Sequence, residues 1–246
     1  GGVISGNWVT PSLLRDKFKN TQFKESSVSV TQESIDSPKV AHPWWALSSL
    51  LIGLSMIIID GSVVNVLLPD MVTDIGLTQT DAQWVNSIYS LIFASLLITV
   101  GLMSDRFGRR LLFLAGIGVF LLGSLASGTA QDPSFLIASR ALQATGAAMM
   151  MSSSIAVINV LFTGKQRAAA FGLWGAVFGG AAGLGPLLGG WLAQDFSWRW
   201  AFLINIPVGI VAAILVIKTV PESKGKRVSG YDPVGIVMTA AGLALI

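Results

Sequence analysis

The sequence predicts an all-α membrane protein: a bundle of six transmembrane helices followed by the start of a seventh. Three observations predict it. Hydrophobic residues make up 52% of the chain and charged residues only 12%, against about 25% charged in a soluble domain. Six apolar runs approach or exceed the roughly 20 residues that a helix needs to cross a bilayer. The basic residues gather between alternate runs, which is the footprint of membrane topology.

The runs fall in order at 44–68, 84–103, 111–130, 135–162, 168–193 and 200–217, and 234–246 begins a seventh. They carry no charge except Asp60 in the first and Arg140 in the fourth. Backbone groups in lipid must be paired within their own segment, so runs of this length are helices; a membrane barrel would alternate in short segments. Residues 1–43 are polar, bury too little to offset chain entropy, and are expected to form a disordered cytoplasmic tail. Residues 44–217 form the expected bundle, 218–233 a cytoplasmic linker, and 234–246 the start of a truncated seventh helix. The chain begins Gly1-Gly2 and ends inside an apolar stretch, so it reads as a fragment whose C-terminal half is missing.

Lys and Arg set the orientation. The tail, the loop 104–110, the loop around Lys165 and Arg167, and the segment 218–232 together hold fourteen of the sixteen basic residues. The other side carries Arg199 with Asp70, Asp74, Asp81, Asp132 and Asp195. The positive-inside rule therefore puts the N-terminus in the cytoplasm of a multi-pass protein of the cell membrane. Trp44, Trp45, Trp84, Trp191, Trp198 and Trp200 lie near run ends, where an interfacial aromatic belt belongs.

Composition also excludes. With no Cys and a single His, His42 in a polar flank, no thiolate or His-cluster metal site is expected, and no cofactor. The net charge of +3 lies between apolar runs and not on a phosphate-binding face, so nucleic acid is not an expected partner. No phosphate-cradling Gly-Lys-Ser/Thr loop is present, and no nucleophile–base pair stands out, so an enzyme is the least favoured class. Expected partners are the lipid bilayer, protons and a small hydrophobic or cationic substrate.

Asp60 is the most informative residue. It stands about nine residues from the outer end of its run, where a carboxylate costs about 2.5–3.5 kcal/mol on insertion scales. Desolvation favours the neutral form of a carboxyl and a nearby cation the charged form, so a group placed there can exchange a proton or pair with a cation. A purely structural carboxylate is the bland alternative. Arg140 lies within about 5 Å of the same depth at a rise of roughly 1.5 Å per residue, so pairing with Asp60 is possible, as is snorkelling to the interface. Gly175, Gly179 and Gly183 recur every fourth residue, as do Gly185 and Gly189, which lets a partner backbone approach, while Pro186 should kink the fifth helix. Asp105 and Arg109 are four apart and can pair if their segment is helical. Met149, Met150 and Met151 suit an adaptable pocket, although packing is the commoner use.

These pieces resemble the major facilitator superfamily. Residues 101–110, GLMSDRFGRR, are similar to its signature between helices two and three. Residues 139–148, SRALQATGAA, are similar to the fourth-helix signature, with Arg140, Gln143 and Gly146 in matching places. Residues 181–190, AAGLGPLLGG, resemble the fifth-helix antiporter signature, and 59–69, IDGSVVNVLLP, the first-helix signature of drug:proton antiporters with fourteen spans. Residues 198–209, WRWAFLINIPVG, and 228–235 are also similar to that branch. Ala181, Ser104 and Ser62 depart from its commoner residues, small for small.

The resemblance implies the N-terminal half of a major facilitator fold, two inverted three-helix repeats with helices one and four lining a cavity. It implies that Asp60, Arg140 and Gln143 serve proton coupling and substrate. It implies that Gly101, Asp105, Arg106, Gly108 and Arg109 form a conformational latch. It further implies that Gly185, Pro186, Gly189 and Gly190 mark exchange. The expected function is proton-driven efflux of hydrophobic, cationic drugs or toxic compounds. A facilitator or proton symporter for a polar metabolite, and a non-transporting sensor, are the alternatives.

Overall fold

The structure, a computed structural model, describes residues 42–223. Nearly all of the expected tail, most of the linker after 218 and the seventh run lie outside the described residues. The described chain folds into α1 (Pro43–Ile75), α2 (Gln79–Phe107), α3 (Arg109–Gly128), α4 (Pro133–Leu161), α5 (Gly164–Asp195), α6 (Arg199–Leu203) and α7 (Asn205–Thr219). Five segments are long and apolar enough to cross a membrane: α1, α3, α4, α5 and the α6–α7 unit Arg199–Thr219. The 29-residue α2 carries the uncharged run 84–103 and completes the six.

Local chemistry sets the helix ends. Pro43 opens α1 at a position whose N–H needs no partner, and Gly76, at φ 68°, closes it in the left-handed region. Thr78 and Asp81 form a reciprocal capping box at α2: Asp81 N donates to Thr78 Oγ1 at 3.1 Å and Thr78 N to Asp81 Oδ2 at 3.0 Å. Asp132 Oδ1 accepts from Phe135 N at 2.9 Å and caps α4. Between α6 and α7 the helix assignment lapses at Ile204. Pro207, three residues on, has no N–H to give the Leu203 carbonyl.

Two boundaries differ from the sequence reading. The first run ends at Leu68 by hydropathy, yet α1 continues through Pro69 to Ile75; helical hydrogen bonding outlasts the apolar stretch, and Asp70 and Asp74 ride on its final turns. The expected loop 104–110 is helix to Phe107, a break at Gly108, then helix again from Arg109. Gly108 sits at φ 114°, so Asp105 and Arg109 belong to different helices and do not share the i, i+4 geometry of one.

Packing pairs α4 with both α2 and α3, and α1 with both α5 and α7. At the α3–α4 seam backbone approaches backbone closely. A Cβ on Gly146 would stand 2.4 Å from Phe120 N and 2.6 Å from Gly116 O, and one on Gly123 would stand 2.6 Å from Gln143 N. Along α5 the glycines divide. Gly185 and Gly189 lie against Ser62 and Val66 of α1, while Gly175, Gly179, Gly183 and Gly190 meet nothing among the described residues. The assigned helix α5 runs unbroken through Pro186.

The interior has two apolar cores. One gathers Leu47, Leu50, Leu54, Phe113, Phe120, Met150 and Phe162 toward the Pro43 end of α1. The other gathers Val64, Leu67, Met71, Leu136, Trp198 and Phe202 toward its Ile75 end. Met150 thus packs, filling space beside Gly53 and Gly116. Trp44, Trp45, Trp84, Trp191 and Trp200 are exposed, as a belt requires. Trp198 is the exception: it is buried, and its Nε1 donates to Asp74 Oδ2 at 3.0 Å. Arg199 pairs with the same carboxylate and donates to Ala130 O at 3.0 Å, tying three helix junctions together at this end.

At Gly146 the α3–α4 seam is backbone against backbone, so no flexible side chain there can yield. Gly146→Ala is expected to destabilise the full chain by about 1–3 kcal/mol through overpacking, read as a lowered thermal midpoint in detergent.

Candidate functional site

The two apolar cores are separated by a layer of polar side chains, one or two from each of four elements. Asp60 falls between Ile57 and Val63 on α1, and Ser124 between Phe120 and the end of α3. Arg140 and Gln143 follow Leu136 on α4, and Asn205 follows Phe202 at the start of α7. All five are at most 3% exposed. Among the described residues, Asp60 and Arg140 are the only charged side chains so buried.

They meet directly. Arg140 Nη1 donates to Asp60 Oδ2 at 2.6 Å and to Gln143 Oε1 at 2.7 Å. Gln143 Nε2 donates to Asp60 Oδ1 at 2.8 Å and to Ser124 Oγ at 2.7 Å. Asn205 Nδ2 reaches the same two acceptors at 2.9 and 3.0 Å. Helix spacing explains part of this: Arg140 and Gln143 are three apart and share one face of α4. Gly123 explains another part, since only a residue without Cβ lets the Gln143 backbone come so near α3. Snorkelling of Arg140 is overturned. The guanidinium is 1% exposed and points to Asp60, because a charge-assisted bond in a dry interior outweighs the reach to the interface.

Aromatic rings close the guanidinium's other sides. Its carbon lies 4.3 Å from the Tyr89 ring centroid and 5.7 Å from that of Phe202. Arg140 and Tyr89 also border a cleft of about 290 Å³ between α1 and α2, with Asn65, Asn86, Ser90 and Phe93. Asp60 does not line this cleft.

At the Gly108 end a second arrangement appears. Glu222, just past α7, turns its carboxylate onto the first turn of α3, accepting from Arg110 N at 3.3 Å and Leu111 N at 3.1 Å. Arg109 N donates to Ser223 O at 3.0 Å. A Cβ on Gly108 would sit 2.5 Å from Glu222 Oε1, so the glycine serves both its positive φ and this contact. Gly101 faces Ser152 Oγ of α4, and Arg106 lies 5.6 Å from the Phe107 ring. The side chain of Asp105 lies outside the described residues.

Sequence reasoning therefore located Asp60, Arg140 and Gln143 and missed Asn205, Ser124, Tyr89 and Glu222. A single Asn inside an otherwise apolar run was the available signal for Asn205. Nothing distinguishes Ser124 from the other serines of the helices, and Glu222 carries no periodicity because it follows the last helix.

Fold and site together define a polytopic helical membrane protein organised around one buried ion pair. The sequence profile of the Major Facilitator Superfamily matches residues 50–244, and the chain belongs to that family. It is 39% identical over 223 residues to the puromycin resistance protein of Streptomyces alboniger, covering 90% of this chain and 44% of that one. It is 33% identical over 197 residues to the multidrug transporter protein MdtP of Bacillus subtilis, covering 80% and 36%. The chain thus spans less than half the length of these relatives. Its fold matches a crystal structure of the peptide transporter POT with a TM-score of 0.66 at 17% identity, over 81% of this chain and 43% of that one.

Asn205 supplies one of the two carboxamides on Asp60 Oδ1. Asn205→Leu is expected to destabilise the full chain by about 1–2 kcal/mol, the range for an interhelical hydrogen bond in a membrane. Thermal unfolding equal to that of the unsubstituted protein would remove Asn205 from the site.

Proposed function

We propose that this bundle is one half of a proton-coupled carrier that exports hydrophobic compounds across the cell membrane. The observation that carries the reading is the buried Asp60–Arg140 pair at 2.6 Å, the sole ion pair among the fully buried described residues. Resistance and multidrug transport in the names of its relatives support export.

The chemistry follows from the cost of an unmatched charge. With Asp60 ionised, the pair and its carboxamides hold α1, α3, α4 and α7 together. A proton arriving on Asp60 cancels the counter-charge and leaves Arg140 buried alone, a state costing about 3–5 kcal/mol. The bundle then favours another arrangement in which Arg140 finds new partners, and loss of the proton on the other side restores the first. Gln143 and Asn205 keep Asp60 oriented while Arg140 moves. A cationic cargo, drawn to Asp60, would first require that carboxylate to part from Arg140. Gly101, Arg106, Gly108 and Arg109, with Asp105, act in this reading as the latch at the cytoplasmic end. Gly185 and Gly189 give α5 its close seat on α1, and with Pro186 and Gly190 they form in this reading the stretch along which exchange proceeds. The fourteen-span branch and the cytoplasmic N-terminus belong to the same proposal.

In proteoliposomes holding the full-length carrier, Asp60→Asn is expected to reduce pH-gradient-driven movement of hydrophobic compounds, puromycin among them, by about tenfold or more, equivalent to about 1.4 kcal/mol. Undiminished gradient-driven flux would sink the reading. Residues 1–246 hold no cysteine, so single cysteines placed here report topology once any cysteine elsewhere in the full-length carrier is replaced. Lys165→Cys should react with an impermeant maleimide only after permeabilisation, and Gln131→Cys in intact cells; the reverse pattern would invert the orientation.

A further inference from the structure

We propose that Tyr89 is the seat that Arg140 takes when a proton neutralises Asp60, a positioning residue of the coupling step. The proposal deepens the carrier reading and rests on it for the arrival of that proton.

Two idle groups carry it. Tyr89 Oη and Arg140 Nε are buried and have no hydrogen-bond partner among the described residues. An unmatched buried polar group is costly, and one that a fold retains calls for an explanation. Here the two are complementary, since Nε–H can only donate and a phenolic oxygen can accept. They belong to side chains already in contact: the guanidinium carbon is 4.3 Å from the Tyr89 ring centroid. Tyr89 is 9% exposed and Arg140 1%, so bulk water satisfies neither.

The ion pair explains why they do not meet in this state. Arg140 Nη1 donates to Asp60 Oδ2 at 2.6 Å and to Gln143 Oε1 at 2.7 Å. The bond to Asp60 is charged on both sides and sets the guanidinium's orientation. A proton on Oδ2 removes the carboxylate's charge, while the Gln143 bond remains. A turn of the guanidinium on that bond can bring Nε to Tyr89 Oη with its plane still on the ring. An aromatic face attracts a desolvated cation, and the attraction counts for more once the carboxylate's opposing field is gone. Phe202 is farther, at 5.7 Å, and offers a face without an acceptor. Space permits the turn: Tyr89 and Arg140 both border the cleft between α1 and α2, so neither is packed on every side.

Among the described residues no other charge intervenes. Around the pair, α2 presents Tyr89, and α3 and α7 present the neutral Ser124 and Asn205. On α5, packed against α1, the charges Lys165, Arg167 and Asp195 stand at the helix ends. Arg199 of α6 is engaged by Asp74.

A double-mutant cycle on the full-length carrier tests this, read as thermal unfolding in detergent at alkaline pH, with Asp60→Asn standing in for the protonated carboxyl. With Asp60 in place, Tyr89→Phe removes an idle hydroxyl and is expected to leave the midpoint unchanged or raised. In the Asp60→Asn background the same substitution is expected to lower it by about 2 °C or more. A residue that merely packs would respond alike in both. Should Asp60→Asn not fold, acid pH on the chain with Asp60 intact takes its place. The pH profile of gradient-driven puromycin flux is the second readout. The seat favours the proton-loaded state, so its loss demands more acid. The half-maximal point of Tyr89→Phe is expected to fall by about one pH unit, a tenfold higher proton concentration. An equal effect of Tyr89→Phe in both backgrounds, whether nil or large, would overturn the proposal, as would an unmoved profile in a chain that transports. Flux that ignores the gradient in the unsubstituted chain defeats the carrier reading alone and leaves the seat to the cycle.

Discussion

A charge left alone in hydrocarbon costs more than most packing defects, and Asp60 and Arg140 avoid that cost only by finding each other. Their bond joins α1 to α4, and the carboxamides of Gln143 and Asn205 extend it to α3 and α7 through Ser124. Both carboxylate oxygens of Asp60 are engaged by side chains of other helices. The apolar cores on either side fill the space between the helices, and the polar layer adds directional bonds that fix which faces of α1, α3, α4 and α7 meet. A buried network specifies one arrangement to the extent that its groups are satisfied, and here the Asp60 oxygens and the Gln143 and Asn205 carboxamides are engaged while Arg140 Nε has no partner among the described residues. Loss of the Asp60 charge disturbs that network, which makes a single proton consequential here.

The glycines serve that layer. Gly123 lets the Gln143 backbone come close enough for its side chain to reach both Ser124 and Asp60. Gly146, one turn further along α4, lets the seam stay tight toward the first core. On the other flank, Gly185 and Gly189 seat α5 against α1 one turn beyond Asp60. Small residues therefore cluster where backbone must approach the ion pair from two directions. The remaining α5 glycines meet no described residue.

The long apolar runs made the helices legible, because bilayer thickness and backbone pairing leave few other choices. Asp60 and Arg140 were legible for the same reason: a charge in such a run stands out whatever its partners. Their pairing was legible only as equal depth, since depth does not say which faces meet. Asn205 and Ser124 carried too weak a signal, being polar groups of kinds that hydrophobic helices often hold and satisfy on their own backbone. The end of α1 was misplaced because hydropathy falls at Pro69 while the helix does not. Trp198 looked interfacial by position and turned inward because Asp74 gave its indole N–H a partner.

Glu222 has a consequence for anyone who divides this chain. Its carboxylate occupies the amide groups that open α3, more than a hundred residues earlier in sequence. A boundary drawn by hydropathy would fall soon after Thr219 and strip that anion away, leaving the start of a central helix with unmet donors. The six-helix unit is therefore not closed by its sixth helix. It reaches at least to Ser223, whose carbonyl accepts from Arg109 N, and excision, fusion or circular rearrangement that honours the membrane spans alone would cut inside it.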